Sequence, residues 1–102
     1  MSKHHCHAMF CPKACPPRML MCPTCWAMVS PETQREVYRT VKLRDMSGCD
    51  HTWAPWWRAS HTAIAEVARQ TPDRFAPGWV EGGGVDRWLA HEMRVADGLG
   101  EP

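Results

Sequence analysis

The stretch HCHAMFCPKACPPRMLMCPTCW, residues 5–26, holds five of the chain's six cysteines, two of its six histidines and no acidic residue. It has too few large apolar side chains to fold by burial alone, so its structure depends on what its sulfurs do. Disulfides belong to oxidising compartments, whereas clustered cysteines in a reducing compartment read as metal ligands. A secretory signal needs a basic start followed by an unbroken apolar stretch. Cys, His, Pro and Lys interrupt residues 4–18, so the chain is expected to stay in a reducing cytoplasm. No apolar run approaches the ~20 residues of a membrane-spanning helix. A metal site is therefore the expected use of these sulfurs, with zinc as the ion.

A structural zinc site takes four ligands in two converging pairs. Cys22-Pro-Thr-Cys25 is the strongest pair, because two intervening residues let one turn aim both sulfurs at the same ion. Cys6 and Cys11, with four residues between them, form the second. The ten residues separating the pairs include Pro16-Pro17 and suffice to turn the chain back. The expected ligands are Cys6, Cys11, Cys22 and Cys25. Cys15 could replace Cys6, and His4, His5 or His7 could supply a nitrogen, although exposed histidines near a terminus are the simpler reading. Cys49 is separated from the cluster by a helix and reads as a free thiol.

Spacing rejects the sharper motifs. Trp26 stands where a c-type haem site needs His. A C2H2 finger needs its histidines soon after Cys25, and the next is His51. The segment MCPTC lacks the proline of a zinc deaminase, and no H-x-E precedes it. HEMRV at residues 91–95 lacks the second His of a zincin. Cys22–Cys25 has no strand–helix context for thioredoxin-like chemistry. No nucleophile–base pattern or open metal site appears, so an enzyme is not expected.

At 102 residues the chain has room for one small domain, in which a metal supplements a thin core. Its composition divides it into a zinc knuckle at 1–29, a helical part at 30–71, and a loop with a C-terminal amphipathic helix at 72–102. Ser30 is a good N-cap and Pro31 fits the first helical position, so a helix begins there and should end near Arg44. Val37, Tyr38 and Val41 form its apolar stripe. Pro55 opens a second helix, with Trp57, Ile64, Val67 and Ala68 on one face, that stops near Gln70 ahead of Pro72. Residues 73–84 read as loop, with Gly82–Gly84 a flexible joint. A third helix follows from Val85 and ends before Gly98.

The net charge of +1 divides into +5 over residues 1–44 and −4 over residues 45–102. Four thiolates around a divalent zinc would reduce the first half to about +3, a mild basic face rather than the excess of a dedicated nucleic-acid binder. Six tryptophans are many for this length. Trp26 and Trp57 are expected to fill core. Trp79 and Trp88 flank the glycines among Glu81, Asp86 and Glu92, and are expected to anchor a protein partner.

The run HCHA…C…PPRMLMCPTCW, followed by APWWRASHTAIAEVA, resembles a widespread family of small proteins encoded by tailed bacteriophages and prophages. The resemblance covers His5–Val41 and, more loosely, Ala54–Gln70, and leaves out the acidic tail from Asp73. It implies Cys6, Cys11, Cys22 and Cys25 as ligands rather than Cys15. Cys25 stands where the family commonly has His, which keeps zinc chemistry intact. Phe10 stands where it commonly has Gly, which bears on the turn before Cys11. The resemblance implies a phage accessory protein and no particular activity.

The expected fold is a small α-rich domain, an N-terminal four-cysteine zinc knuckle of treble-clef type followed by about three helices. The expected function is to bind and modulate a host protein complex, such as a defence or transcription machine. The alternative is a small zinc-dependent nucleic-acid binder that places Arg35, Arg39, Lys42 and Arg44 on phosphates.

Overall fold

The computed structural model describes residues 4–16, 19–47 and 53–100, the side chains of Arg44, Met46 and Ser47 excepted. Cys49 lies outside the described residues. The chain forms a short helix α1 (Pro23–Trp26) and two long helices, α2 (Pro31–Ser47) and α3 (Ala54–Gln70). A single 3-10 turn (Pro72–Arg74) then leads to α4 (Gly84–Asp97). Among the described residues there is no strand; the knuckle's backbone pairing is one antiparallel bridge, His5 to Ala14. This is the α-rich domain with an N-terminal cysteine cluster that the sequence predicts.

The start of α2 is set by several groups. The Ser30 hydroxyl accepts from the Thr33 N–H at 3.3 Å, the N-cap bond expected of it. Glu66 of α3 adds a long-range cap, accepting the Ser30 N–H at 2.7 Å and the Thr33 hydroxyl. Gln34 donates to the carbonyls of Trp26 and Val29, and Gln70 donates to that of Met28. The link between knuckle and helices is thereby tied to both α2 and α3. At its other end α2 runs three residues past Arg44, because no helix breaker occurs before Gly48.

Helix α3 is the central element, packing against both α2 and α4. Its buried residues are mostly small: Ala54, Ala59, Ser60, Ala63, Ala65 and Ala68 join Ile64 and Val67. Small side chains on more than one face let two neighbours approach closely. The buried hydroxyls of Thr40, Ser60 and Thr71 each donate to a carbonyl of the preceding turn, so none costs an unsatisfied donor.

The glycine segment differs from the flexible joint expected of it. Gly82 donates to the Gly78 carbonyl at 2.9 Å, Gly83 to Val80 at 3.1 Å and Gly84 to Trp79 at 2.8 Å. Gly83 takes a left-handed φ of 86°, which glycine adopts without steric cost. Gly84 is buried under the Trp79 indole, where a Cβ would lie 2.2 Å from a ring carbon. The glycines are there because a hydrogen-bonded turn must pass directly beneath an aromatic ring.

Ala ordinarily stabilises a helix relative to Gly, by about 1 kcal/mol. Gly84→Ala should do the reverse and destabilise by about 1–3 kcal/mol through overpacking against Trp79. A thermal melt should show a midpoint lower by about 4–8 °C per kcal/mol, with a change in near-ultraviolet tryptophan dichroism.

Candidate metal centre and the adjoining groove

Local backbone bonds bring the first cysteine pair together. The Cys6 N–H donates to the Lys13 carbonyl at 2.9 Å and the Cys15 N–H to His4 at 3.0 Å, closing a loop that contains Cys11. Within that loop the Cys11 N–H reaches the Ala8 carbonyl at 3.2 Å, and Phe10 adopts φ 61°. Phe10 is the one non-glycine residue with positive φ among those described. Glycine would adopt this backbone freely, whereas for an L side chain it costs roughly 1–2 kcal/mol. The second pair straddles a helix start: Cys22 is the N-cap of α1 and Cys25 its third residue.

The sulfurs of Cys6, Cys11, Cys22 and Cys25 all lie within 4.8 Å of one another, and all four residues are buried. Cys11 and Cys22 have sulfurs 3.8 Å apart, far beyond a disulfide bond. Four sulfurs at ~2.3 Å from a central tetrahedral ion would be separated by about 3.8 Å. The spacing therefore fits one metal ion held by four thiolates. Cys15 stands outside the group; its half-buried thiol donates to the Met19 carbonyl at 3.6 Å and lies 3.5 Å from His4 Nδ1. His4 and His7 hydrogen-bond to each other through their Nε2 atoms at 3.1 Å, and His5 is exposed. None of the three histidines belongs to the four-sulfur group.

Burial disfavours the charged form at Cys6 and Cys25, so ionising all four sulfurs calls for a cation among them. Burial pushes the Cys6 thiol up to about 12. Burial also raises Cys25, against the pull of Arg74. At Cys22 burial opposes ionisation, but the Cys25 N–H and the neighbouring thiols outweigh it and draw the group down to about 7. A divalent ion is what allows four buried thiolates to coexist.

One participant was invisible in the sequence. Arg74, from the 3-10 turn, directs both terminal nitrogens at the Cys25 sulfur, at 3.8 and 3.9 Å. It lies 49 residues beyond Cys25, in a segment that reads as loop, and no local pattern links the two.

Of the residues expected to meet a partner, Arg35, Arg39 and Lys42 are exposed on α2, but Arg39 is paired with Glu36, its Nε donating at 3.0 Å. The Arg44 side chain lies outside the described residues. Trp79 and Trp88 are half-buried and in intramolecular contact. Trp79 stacks on Phe75 with ring centroids 4.8 Å apart, and Trp88 packs against both apolar clusters of the core. Trp26 and Trp57 are also half-buried. Their faces contribute to a groove of about 620 Å³ between the knuckle, α2 and α3. Its walls include Met19, Trp26, Tyr38, Val41, Trp56 and Ile64, with His4, His7, Ser60 and His61 as polar groups and, among the described residues, no Lys, Arg, Asp or Glu. Tyr38 is 63% exposed and meets Trp26 edge-on at 5.7 Å. His61 is fixed by its Nδ1–H bond to the Trp57 carbonyl at 2.8 Å and by stacking on the Trp57 ring.

No family model matches the chain, and neither does any curated protein or solved structure.

The purified chain should carry one metal ion, lost in a Cys22→Ser/Cys25→Ser double variant and retained in Cys15→Ser and His7→Ala. Elemental analysis alongside circular dichroism checks this. Because the bound cysteines must be thiolates, metal should be retained at neutral pH and lost on acidification as they take up protons. A metal content unchanged at pH 4 would contradict a thiolate site.

Proposed function

We propose that this chain is a zinc-stabilised binding module, a phage or prophage accessory protein that docks on a host protein complex and modulates it. Zinc suits a closed site of four thiolates, since it has no redox chemistry and no preferred geometry of its own beyond accepting a tetrahedron. A closed shell leaves no coordination position for substrate, so the metal's task is to hold the knuckle in shape.

The observation that carries the interaction reading is the groove beside the knuckle. Aromatic and methionine side chains on a water-facing surface are costly unless a partner covers them, and such residues dominate the energetics of protein interfaces. Among the described residues, the groove's walls carry none of the cationic side chains that phosphate recognition needs. Trp79 and Trp88 present only part of their surface, so they would extend such an interface rather than centre it. The basic row Arg35, Arg39 and Lys42 supports the nucleic-acid alternative, weakened by Glu32 and Glu36 on the same helix.

A tagged pull-down from bacterial lysate, with and without nuclease, tests the reading. Tyr38→Ala, at an exposed position that leaves the core intact, should reduce recovery of a stoichiometric protein partner about tenfold or more, as expected for an interface anchor. Arg35→Ala/Lys42→Ala should leave recovery unchanged. Nucleic acid recovered instead, and lost with Arg35→Ala/Lys42→Ala or at higher salt, would establish the alternative.

A further inference from the structure

We infer that Arg74 is a positioning residue of the metal centre, and that metal occupancy reaches through it to hold residues 72–83 against the knuckle. The inference needs a metal at the four cysteines, whatever its identity, and does not depend on the partner reading.

Four thiolates around a divalent ion leave a net charge of −2 in a buried site. Among the described residues, Arg74 supplies the guanidinium that hydrogen-bonds to one of the four sulfurs, with two nitrogens on Cys25 at 3.8 and 3.9 Å. A metal-bound thiolate is a charged acceptor, and charge-assisted bonds are roughly twice as strong as neutral ones. A thiol is a weak acceptor, and a guanidinium beside it is poorly compensated. The same hydrogen bond therefore has a different strength with and without metal.

The segment C-terminal to Arg74 rests Phe75, Trp79 and Val80 on Ala65, Ala68 and Val85, and Arg74 adds its tie to the metal centre. Pro72, Asp73, Ala76, Pro77 and Gly78 are exposed and contribute little burial. The aromatic tie back to the knuckle is Phe75, whose ring meets Phe10 edge-on at 5.3 Å. Phe75 also stacks on Trp79, and Trp79 covers Gly84 at the start of α4. A continuous path thus runs from ligand Cys25 through Arg74, Phe75 and Trp79 to α4. Its second anchor, Phe10, immediately precedes ligand Cys11 and is held in a left-handed backbone by the same knuckle. Both of these contacts with the knuckle therefore adjoin a ligand of the ion.

The test uses the full chain in its metal-loaded form. Arg74→Gln removes the charge while keeping hydrogen-bonding capacity, and Arg74→Lys keeps the charge but cannot fork. Competition with a chromophoric chelator should show metal affinity falling about 10- to 100-fold in Arg74→Gln, the usual cost of losing an outer-shell partner. Arg74→Lys should recover part of the loss. In the cobalt-substituted proteins, the sulfur-to-metal charge-transfer band should shift in Arg74→Gln and return towards wild type in Arg74→Lys. Hydrogen exchange on the loaded Arg74→Gln chain should be faster at the amides of residues 75–83 and unchanged in α3. Wild-type affinity and an unshifted band in Arg74→Gln would overturn the metal-positioning role. Unchanged exchange over 75–83 would overturn the coupling. Should Arg74→Gln fail to fold, Arg74→Lys carries the same three readouts, each expected to change in the same direction but less.

Discussion

Four sulfur atoms brought within 4.8 Å of one another in a buried site are the constraint on which the structure depends. As thiolates, four sulfurs this close would repel one another without a cation among them, and the same four cysteines form part of the main apolar cluster. They pack there with Met21 of the knuckle and with Val29, Val37, Ala63, Ile64 and Val67 from the connecting segment, α2 and α3. Metal site and hydrophobic core are thus one object. The binding free energy of a structural zinc is about 10–16 kcal/mol in small peptides, comparable with the ~5–15 kcal/mol that stabilises an entire small domain. An ion held by these four cysteines would therefore rank with helix burial as a determinant of the fold.

That burial is organised around α3. Its alanines allow α2 and α4 to approach closely on different sides, while Glu66 and Gln70 reach from it to cap α2 and to hold the segment leaving the knuckle. Exposed ion pairs such as Arg58–Asp97 and Arg69–Asp86 join α3 to α4. Surface pairs of this kind contribute about 0–1 kcal/mol each, so the α3–α4 contact rests on Ala65, Ala68 and Val85 and on the rings of Trp79 and Trp88. The connection between the two ends of the molecule is aromatic and sulfur-based: Phe10 on Phe75, Phe75 on Trp79, and Arg74 on Cys25.

The features legible in the sequence are those whose cause is local. Cys22-Pro-Thr-Cys25 announces itself because the residues that aim the sulfurs lie between them. Pro31, Pro55 and Gly98 mark helix ends by their own backbone constraints, and the three long helices begin or end within a few residues of them. The choice of Cys6 over Cys15 was open on spacing alone; it is decided by the loop that sends the Cys15 thiol towards Met19 and His4. Arg74, Glu66 and the Phe10–Phe75 contact were not legible, because each joins residues tens of positions apart without periodicity. The Gly82–Gly84 run misled for the opposite reason. Its composition signals freedom, but the requirement it meets is steric, a close pass beneath Trp79. Phe10 shows how a residue can stand where glycine would be easier: its ring is used, and the strained backbone comes with it.

The order of the metal centre along the chain has a consequence for biosynthesis. All four cysteines lie within the first 25 residues, while the guanidinium that meets Cys25 follows 49 residues later. At ribosomal rates of ~5–20 residues per second, the thiols precede Arg74 by roughly 2–10 s. Any ion taken up in that interval would be held without the Arg74 contact that the finished molecule provides. Without an ion, the four thiols would thus be most open to oxidation before α2 and α3 have packed around them.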